Sequence, residues 1–226
     1  MELDLRQQDA SQAVSKVTKS DRTRLRCLLA VIEIVAERGL GDLSWESVAQ
    51  RSQVSRPLVK KYFPSKSELI LETAMIARHD FQLELVAELE RQASPQTKFR
   101  TYVTKMLAWP RLYPEHAAFW ISFYHYCCLD QQCRTKNLEL VQMGHRRIAS
   151  LLQNCQANSL SPAPTPEALE LARVVQTYLT GAILSMATED SGVQRVQSEK
   201  RAAAIIFNIV TKTGSFGVFK SGEVNS

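Results

Sequence analysis

The sequence predicts an all-α protein: a small head of three helices with a helix-turn-helix, followed by a larger helical body. Three observations carry that expectation. Apolar residues recur at spacings of three and four along most of the chain, and no period-two pattern competes with them. Proline, glycine and hydroxyl residues punctuate these stretches where helix starts and stops belong. Those stops crowd together in the first third of the chain and spread apart afterwards.

The first helix is expected over 20–38, on a stripe of Leu25, Leu28, Leu29, Ile32, Val35 and Ala36. Ser20 or Asp21 can cap its start, and Gly39 stops it. Gly41 and Asp42 make a loop, after which Ser44 caps a short helix over 45–52 with Val48 and Ala49 facing inward. Glu46 lies in its first turn, where the helix dipole favours a carboxylate. Ser55 caps a third short helix with Pro57 at its second position, where the missing N–H would have had no acceptor. Phe63 ends that helix because the next residue is Pro64. Ser65 and Glu68 have capping-box spacing at the head of a long helix over 66–92, with Phe81, Leu85 and Leu89 on one stripe. Further helices are expected over 96–109, stopped by Pro110, and over 115–129, 132–155, 167–188 and 193–213. The segment 157–166 is expected as a loop, held open by Pro162, Pro164 and Pro166. The corresponding domains are a flexible tail at 1–19, a helix-turn-helix head at 20–66, a larger helical body at 67–213, and a C-terminal tail at 214–226.

Charge separates head from body. Residues 1–66 hold 12 Lys+Arg against 8 Asp+Glu, and residues 67–226 hold 16 against 15. Most of the formal charge of +5 therefore lies in the first third. A cationic face attracts phosphate backbones through counterion release, whatever the bases.

Residues 44–63, SWESVAQRSQVSRPLVKKYF, have the layout of a helix-turn-helix: one helix braces and the next offers its N-terminal side chains to the major groove. Candidate DNA contacts are Ser44, Ser55, Arg56, Pro57, Lys60, Lys61, Tyr62 and Lys66. Arg56 is the base reader, since a guanidinium can grip guanine O6 and N7 together. Lys60, Lys61 and Tyr62 suit phosphates or flanking edges, and Lys66 suits a phosphate. Leu58, Val59 and Phe63 are expected in the core, with Trp45 packing across the first two helices.

This stretch resembles the tetracycline-repressor (TetR) family. The resemblance rests on Ala36-Glu37-Arg38-Gly39, on Ser44 with Val48-Ala49, and on Val54-Ser55-Arg56-Pro57 leading through Lys61-Tyr62-Phe63 to Pro64-Ser65-Lys66-Ser67-Glu68-Leu69. It implies an all-α homodimer on a palindromic operator, with a variable C-terminal effector domain, and repression as the commoner mode. Two positions depart from the family's pattern: Gln53 stands where glycine is usual in the turn, and Lys60 where an aromatic is frequent. A left-handed Gln53 would cost about 1 kcal/mol.

In the body, Trp109, Tyr113, Phe119, Trp120, Phe123, Tyr124 and Tyr178 are candidates to line a pocket for a small-molecule effector, with core packing as the alternative for each. The last two helices are apolar on more than one face, so one face can meet a second copy. Val175, Leu179, Ala182, Ile183, Ile205, Ile206 and Ile209 are the candidate dimer contacts. His116, His125 and His145 near Cys127, Cys128 and Cys133 match no zinc spacing, so no metal and no cofactor is expected. Five cysteines without a CxxC pair, no long apolar run and no signal-peptide pattern predict a cytoplasmic protein without membrane contact. No nucleophile–base pair, phosphate-cradling glycine loop or HExxH pattern points to an enzyme. The expected function is a DNA-binding regulator released from its operator by a small molecule. The alternative is control by a protein partner or by cysteine oxidation.

Overall fold

A computed structural model describes residues 18–155, 163–189 and 192–213. The expected tail up to residue 17, the C-terminal tail at 214–226 and positions 157–162 of the expected loop lie outside the described residues. Nine α-helices and one short 3-10 turn, Leu40–Asp42, make up the regular structure among those residues, with no strand. In chain order the helices are α1 (Lys19–Arg38), α2 (Trp45–Ser52), α3 (Arg56–Tyr62), α4 (Lys66–Glu90), α5 (Pro95–Leu112), α6 (Pro114–Leu129), α7 (Gln131–Asn154), α8 (Pro166–Ala187) and α9 (Gly192–Lys212). None is long and apolar enough to cross a membrane.

The chain's packing divides it into two units, Met1–Ile76 and Ala77–Ser226. The division falls inside α4, ten residues beyond the expected edge at Lys66, and Leu69, Ile70, Thr73 and Ala74 of the first unit are buried. In that unit α1 packs on α2, and α2 on α3. Its core comprises Leu28, Val31, Ile32, Ile34 and Val35 of α1 with Val48, Val54, Val59 and Phe63. Leu25 and Leu29, expected on the buried stripe, are 42% and 41% exposed. The buried stripe instead runs through Cys27, Val31 and Ile34, because the helices on α1 cover that flank.

Local chemistry explains most helix ends. Thr18, not Ser20 or Asp21, caps α1: its hydroxyl accepts from the Asp21 N–H at 3.1 Å, and the Asp21 carboxylate accepts from the Thr18 N–H at 2.9 Å. Gly39 ends α1 at φ 78°, ψ 174°, a conformation that only glycine adopts readily. Ser44 and Ser94 cap α2 and α5, each accepting from the third N–H of its helix. The Ser65 hydroxyl accepts from the Glu68 N–H at 3.1 Å, one half of the expected capping box.

The second unit buries Leu85 of α4, Phe99, Val103 and Leu107 of α5, Ile148 and Leu152 of α7, Val175 and Leu179 of α8, and Ile206 and Val210 of α9. Pro110 does not stop α5, which continues to Leu112. The missing N–H forfeits about 1 kcal/mol of hydrogen bonding. Burial of Pro110 beside Trp109, and the Tyr113 N–H bond to the Trp109 carbonyl at 2.8 Å, hold the last turn. Between α6 and α7 a single residue, Asp130, turns the chain and caps α7, accepting from the Cys133 N–H at 2.8 Å. Arg134 then reaches back to the Cys127 and Cys128 carbonyls, which lie at the end of α6 and have no helical donor. Pro166, expected in the loop, is instead the first residue of α8, behind the cap Thr165. Buried Gln153 binds both the Ala163 carbonyl and the Thr165 N–H, which fixes the approach to α8.

Candidate functional site

In the first unit, α3 lies on a framework of side-chain bonds. The Trp45 indole N–H donates to the Phe63 carbonyl at 3.0 Å, tying the start of α2 to the end of α3. Arg24 is bidentate to Glu72 and lies over the Phe63 ring at 5.1 Å. Arg51 donates to Glu33 at 3.0 Å and to Glu37 at 2.9 Å, joining α2 to α1. Hydrogen bonding from Arg51 holds the Glu37 carboxyl below its ordinary value, and bonds from Thr18 do the same for Asp21. The turn between α2 and α3 passes through Gln53 at φ 55°, ψ 42°. Gln53 thus adopts the left-handed conformation that glycine usually supplies, and its N–H still bonds to helical carbonyls of α2.

On this framework Val59 is buried, while Ser55, Arg56, Pro57, Lys60 and Lys61 are exposed. The α3 cap Ser55 makes no side-chain capping bond. Arg56 has one weak ionic neighbour, Glu46 at 3.8 Å, and both side chains are largely exposed. The remaining candidates are engaged within the protein. Ser44 is bound up in its cap. The Tyr62 hydroxyl accepts from Ser20 at 3.1 Å. The Lys66 ammonium, expected at a phosphate, donates to the Leu40 carbonyl at 3.1 Å.

The second unit contains a cavity of about 240 Å³ bounded by α4 to α8. Of the seven aromatic candidates, Trp109, Trp120 and Tyr124 line it. Phe119 and Phe123 are fully buried and stack on each other, as core residues do. Tyr113 binds Glu84 and packs on Phe81, and Tyr178 packs against the core; neither lines the cavity. Sequence reasoning missed Phe81 and Tyr102, and the polar wall of Arg78, Asn137, Arg147 and Gln176. Burial pushes the Tyr102 hydroxyl up to about 12, and burial raises Tyr124 too, so both stay protonated donors. The indole nitrogens of Trp109 and Trp120 and the Asn137 carbonyl oxygen are buried without a partner. Gly144 lets α8 come close: a Cβ there would stand 2.8 Å from the Gln176 oxygen.

The candidate dimer contacts need correction. Val175, Leu179 and Ile206 are fully buried in the body's own core and cannot meet a second copy. Ile183 lines the cavity, and Ala182 and Ile209 are partly buried against the core. Ile205 of α9 is 42% exposed, and α8 exposes Val174 at 49% and Leu184, which also lines the cavity, at 37%.

Comparison with known proteins gives a consistent result. Residues 28–73 match the family model described as bacterial regulatory proteins, tetR family. The chain is 26% identical over 152 residues to the HTH-type transcriptional regulator BetI of Agrobacterium fabrum, covering 67% of this chain and 70% of that one. A transcriptional regulator from Rhodococcus sp. Rha1 superposes with a TM-score of 0.71 at 18% identity, covering 84% of this chain and 96% of that one. A transcriptional regulator from Saccharomonospora viridis, solved in complex with choline, superposes with a TM-score of 0.70 at 20% identity over 82% and 96% of the two chains. At these identities the solved structures establish the shared fold.

Proposed function

This chain is a DNA-binding transcriptional regulator of the TetR family, and we propose that it is a homodimeric repressor released from a palindromic operator by a small molecule bound in the body cavity. The observation that carries this reading is the face of α3. Arg56, Lys60 and Lys61 stand exposed on a helix whose opposite side is sealed by Val59 and anchored through Phe63. Such a face suits a major groove, with Arg56 gripping a guanine and the lysines meeting phosphates. Lys66 and Tyr62, both half-buried, bond within the head, Lys66 to the Leu40 carbonyl and Tyr62 to Ser20.

Dimerisation is supported by the exposed apolar residues Val174, Leu184 and Ile205 on α8 and α9. Two copies joined there would carry two reading helices, and a two-fold pair reads an inverted repeat. Control by cysteine oxidation has less support. Cys27, Cys127, Cys133 and Cys155 are buried, and burial pushes Cys127 and Cys155 up to about 11 and Cys133 up to about 12, away from the reactive thiolate.

The test is selection of tight-binding duplexes from a random library with wild type, Arg56→Ala and Lys60→Ala. The expected outcome is an enriched inverted repeat, with Arg56→Ala weakening binding about 10- to 100-fold and relaxing one base position. Lys60→Ala should weaken all sequences alike and lower the salt dependence. If no sequence is enriched, or both variants bind like wild type, α3 does not read DNA.

A further inference from the structure

Several arginines of this fold are paired with acids or carbonyls. Arg24 meets Glu72, Arg51 meets Glu33 and Glu37, Arg111 meets Glu199 in a two-pronged contact, and Arg173 meets Glu170. Arg134 and Arg195 donate to backbone carbonyls. The cavity is different. Arg78 from α4 and Arg147 from α7 both line it, and no carboxylate stands among its described lining residues. Gln82, with its carboxamide oxygen toward Arg78, accepts from Arg78 Nε at 2.8 Å, which orients the guanidinium without neutralising it. Burial and the charge of Arg147 both make the cation at Arg78 less favourable.

Around these two cations the wall offers donors. The Trp109 and Trp120 indole N–H groups are buried without acceptors, and the hydroxyls of Tyr102 and Tyr124 stay protonated. Two unpartnered donors against one unpartnered acceptor, the Asn137 carbonyl oxygen, favour a ligand richer in acceptors than in donors. Phe81, Leu85, Leu140 and Ile183 supply an apolar remainder. A volume of about 240 Å³ exceeds the roughly 150 Å³ that accepts benzene, leaving room for a ring with a short polar arm.

We propose that the cavity binds a small organic carboxylate carried on an apolar, ring-sized body, with the carboxylate between Arg78 and Arg147. The inference rests on the reading of the cavity as an effector site and specifies the charge of what enters it. Guanidinium groups pair with carboxylates through two parallel N–H bonds, and a partly buried pair of them leaves an anion strongly favoured. A quaternary ammonium would find aromatic faces here, but beside two uncompensated like charges. The choline complex of the Saccharomonospora viridis protein therefore does not carry over to this chain.

The experiment is calorimetric titration of the full chain with aryl and alkyl carboxylates led by 3-phenylpropionate, each beside its primary amide, and with choline. Arg78→Met and Arg147→Met are run in parallel, and DNA binding serves as the check of folding. Arg147 is exposed at the rim, so its variant keeps the test open if Arg78→Met does not fold. At least one acid should bind about tenfold or more tighter than its amide and than choline. Either variant should remove that preference while leaving amide binding within about threefold. If amides bind as well as acids, or choline binds best, the carboxylate assignment is overturned and the effector reading survives. If no compound of any charge binds while the chain still binds DNA, both are overturned.

Discussion

Arg51 in the first unit donates to two carboxylates, whereas Arg78 in the second donates to a neutral carboxamide and shares its cavity with another arginine. The first arrangement holds helices together. The second leaves charge unspent. The same division separates residues within the first unit, where Arg24 and Arg51 are locked to acids while Lys60 and Lys61 stand exposed on α3. In both units the cations that the fold does not neutralise mark the surfaces proposed to meet a ligand: phosphate in one, a small acid in the other.

The widest contrast between the units should appear in their response to pH. Asp21 and Glu37 of the first unit have carboxyls held below their ordinary values of 3.8 and 4.5. Depressed groups contribute stability above the ordinary range and lose it as pH falls through the folded value, so the first unit should weaken in acid below about 4. In the second unit Tyr102, Cys127, Cys133 and Cys155 are raised to between about 11 and about 12. Raised groups act in the opposite direction: their protonated forms favour the fold until pH climbs past the ordinary values of 9.0 to 10.0, and stability then falls. Trp45 alone reports the first unit, and Trp109 and Trp120 report the second. Fluorescence of Trp45→Phe beside the double variant Trp109→Phe/Trp120→Phe should show the second unit melting earlier in alkali, whereas in acid both units weaken, the second from about pH 6.5 downward because burial lowers His145. Identical titrations of the two would break the comparison.

A smaller effect isolates the support beneath α3. Phe63 is fully buried, carries Arg24 on its face and offers its carbonyl to Trp45. Phe63→Ala should cost about 3–5 kcal/mol, lower the urea midpoint of the Trp45 signal and abolish DNA binding, while the cavity keeps its ligand. Loss of ligand binding together with DNA binding would show that the units do not fail separately. The smallest effect is a gain. Gln53→Gly relieves a left-handed side-chain residue and should stabilise the first unit by up to about 1 kcal/mol in thermal melts, with DNA affinity unchanged.

Much of the first unit was legible in the sequence because its determinants are local. Ser44, Gly39, Pro57 and the Ser65–Glu68 pair act within a few residues of the ends they define, and α3 follows from them. Thr18 was passed over because Ser20 and Asp21 were equally plausible caps from spacing alone. The cavity is another matter, since its wall comes from five helices far apart in the chain. Periodicity identifies a buried stripe but not whether it faces core or space, so Phe119 and Phe123 read the same as Trp120 and Tyr124. It also leaves open which apolar face is inward, and Val175, Leu179 and Ile206 went to the wrong one. One signal was present: Arg78 lies three residues before Phe81 on the stripe shared with Leu85, and Arg147 three after Gly144 on the stripe with Leu140. A charge on an otherwise apolar stripe is the pattern to look for.

Two of the side-chain bonds that join the helices of the first unit have a consequence best counted in degrees of freedom. Trp45 holds the Phe63 carbonyl at the end of α3, and Lys66 holds the Leu40 carbonyl after α1. Each closes a ring of chain, one running from α2 through α3 and the other from the end of α1 to the start of α4. Independent torsions at the connections become coupled coordinates, so α3 cannot tilt without carrying α2 and the start of α4. The head thus presents α3 to a groove as part of one object rather than as a separately tilting surface.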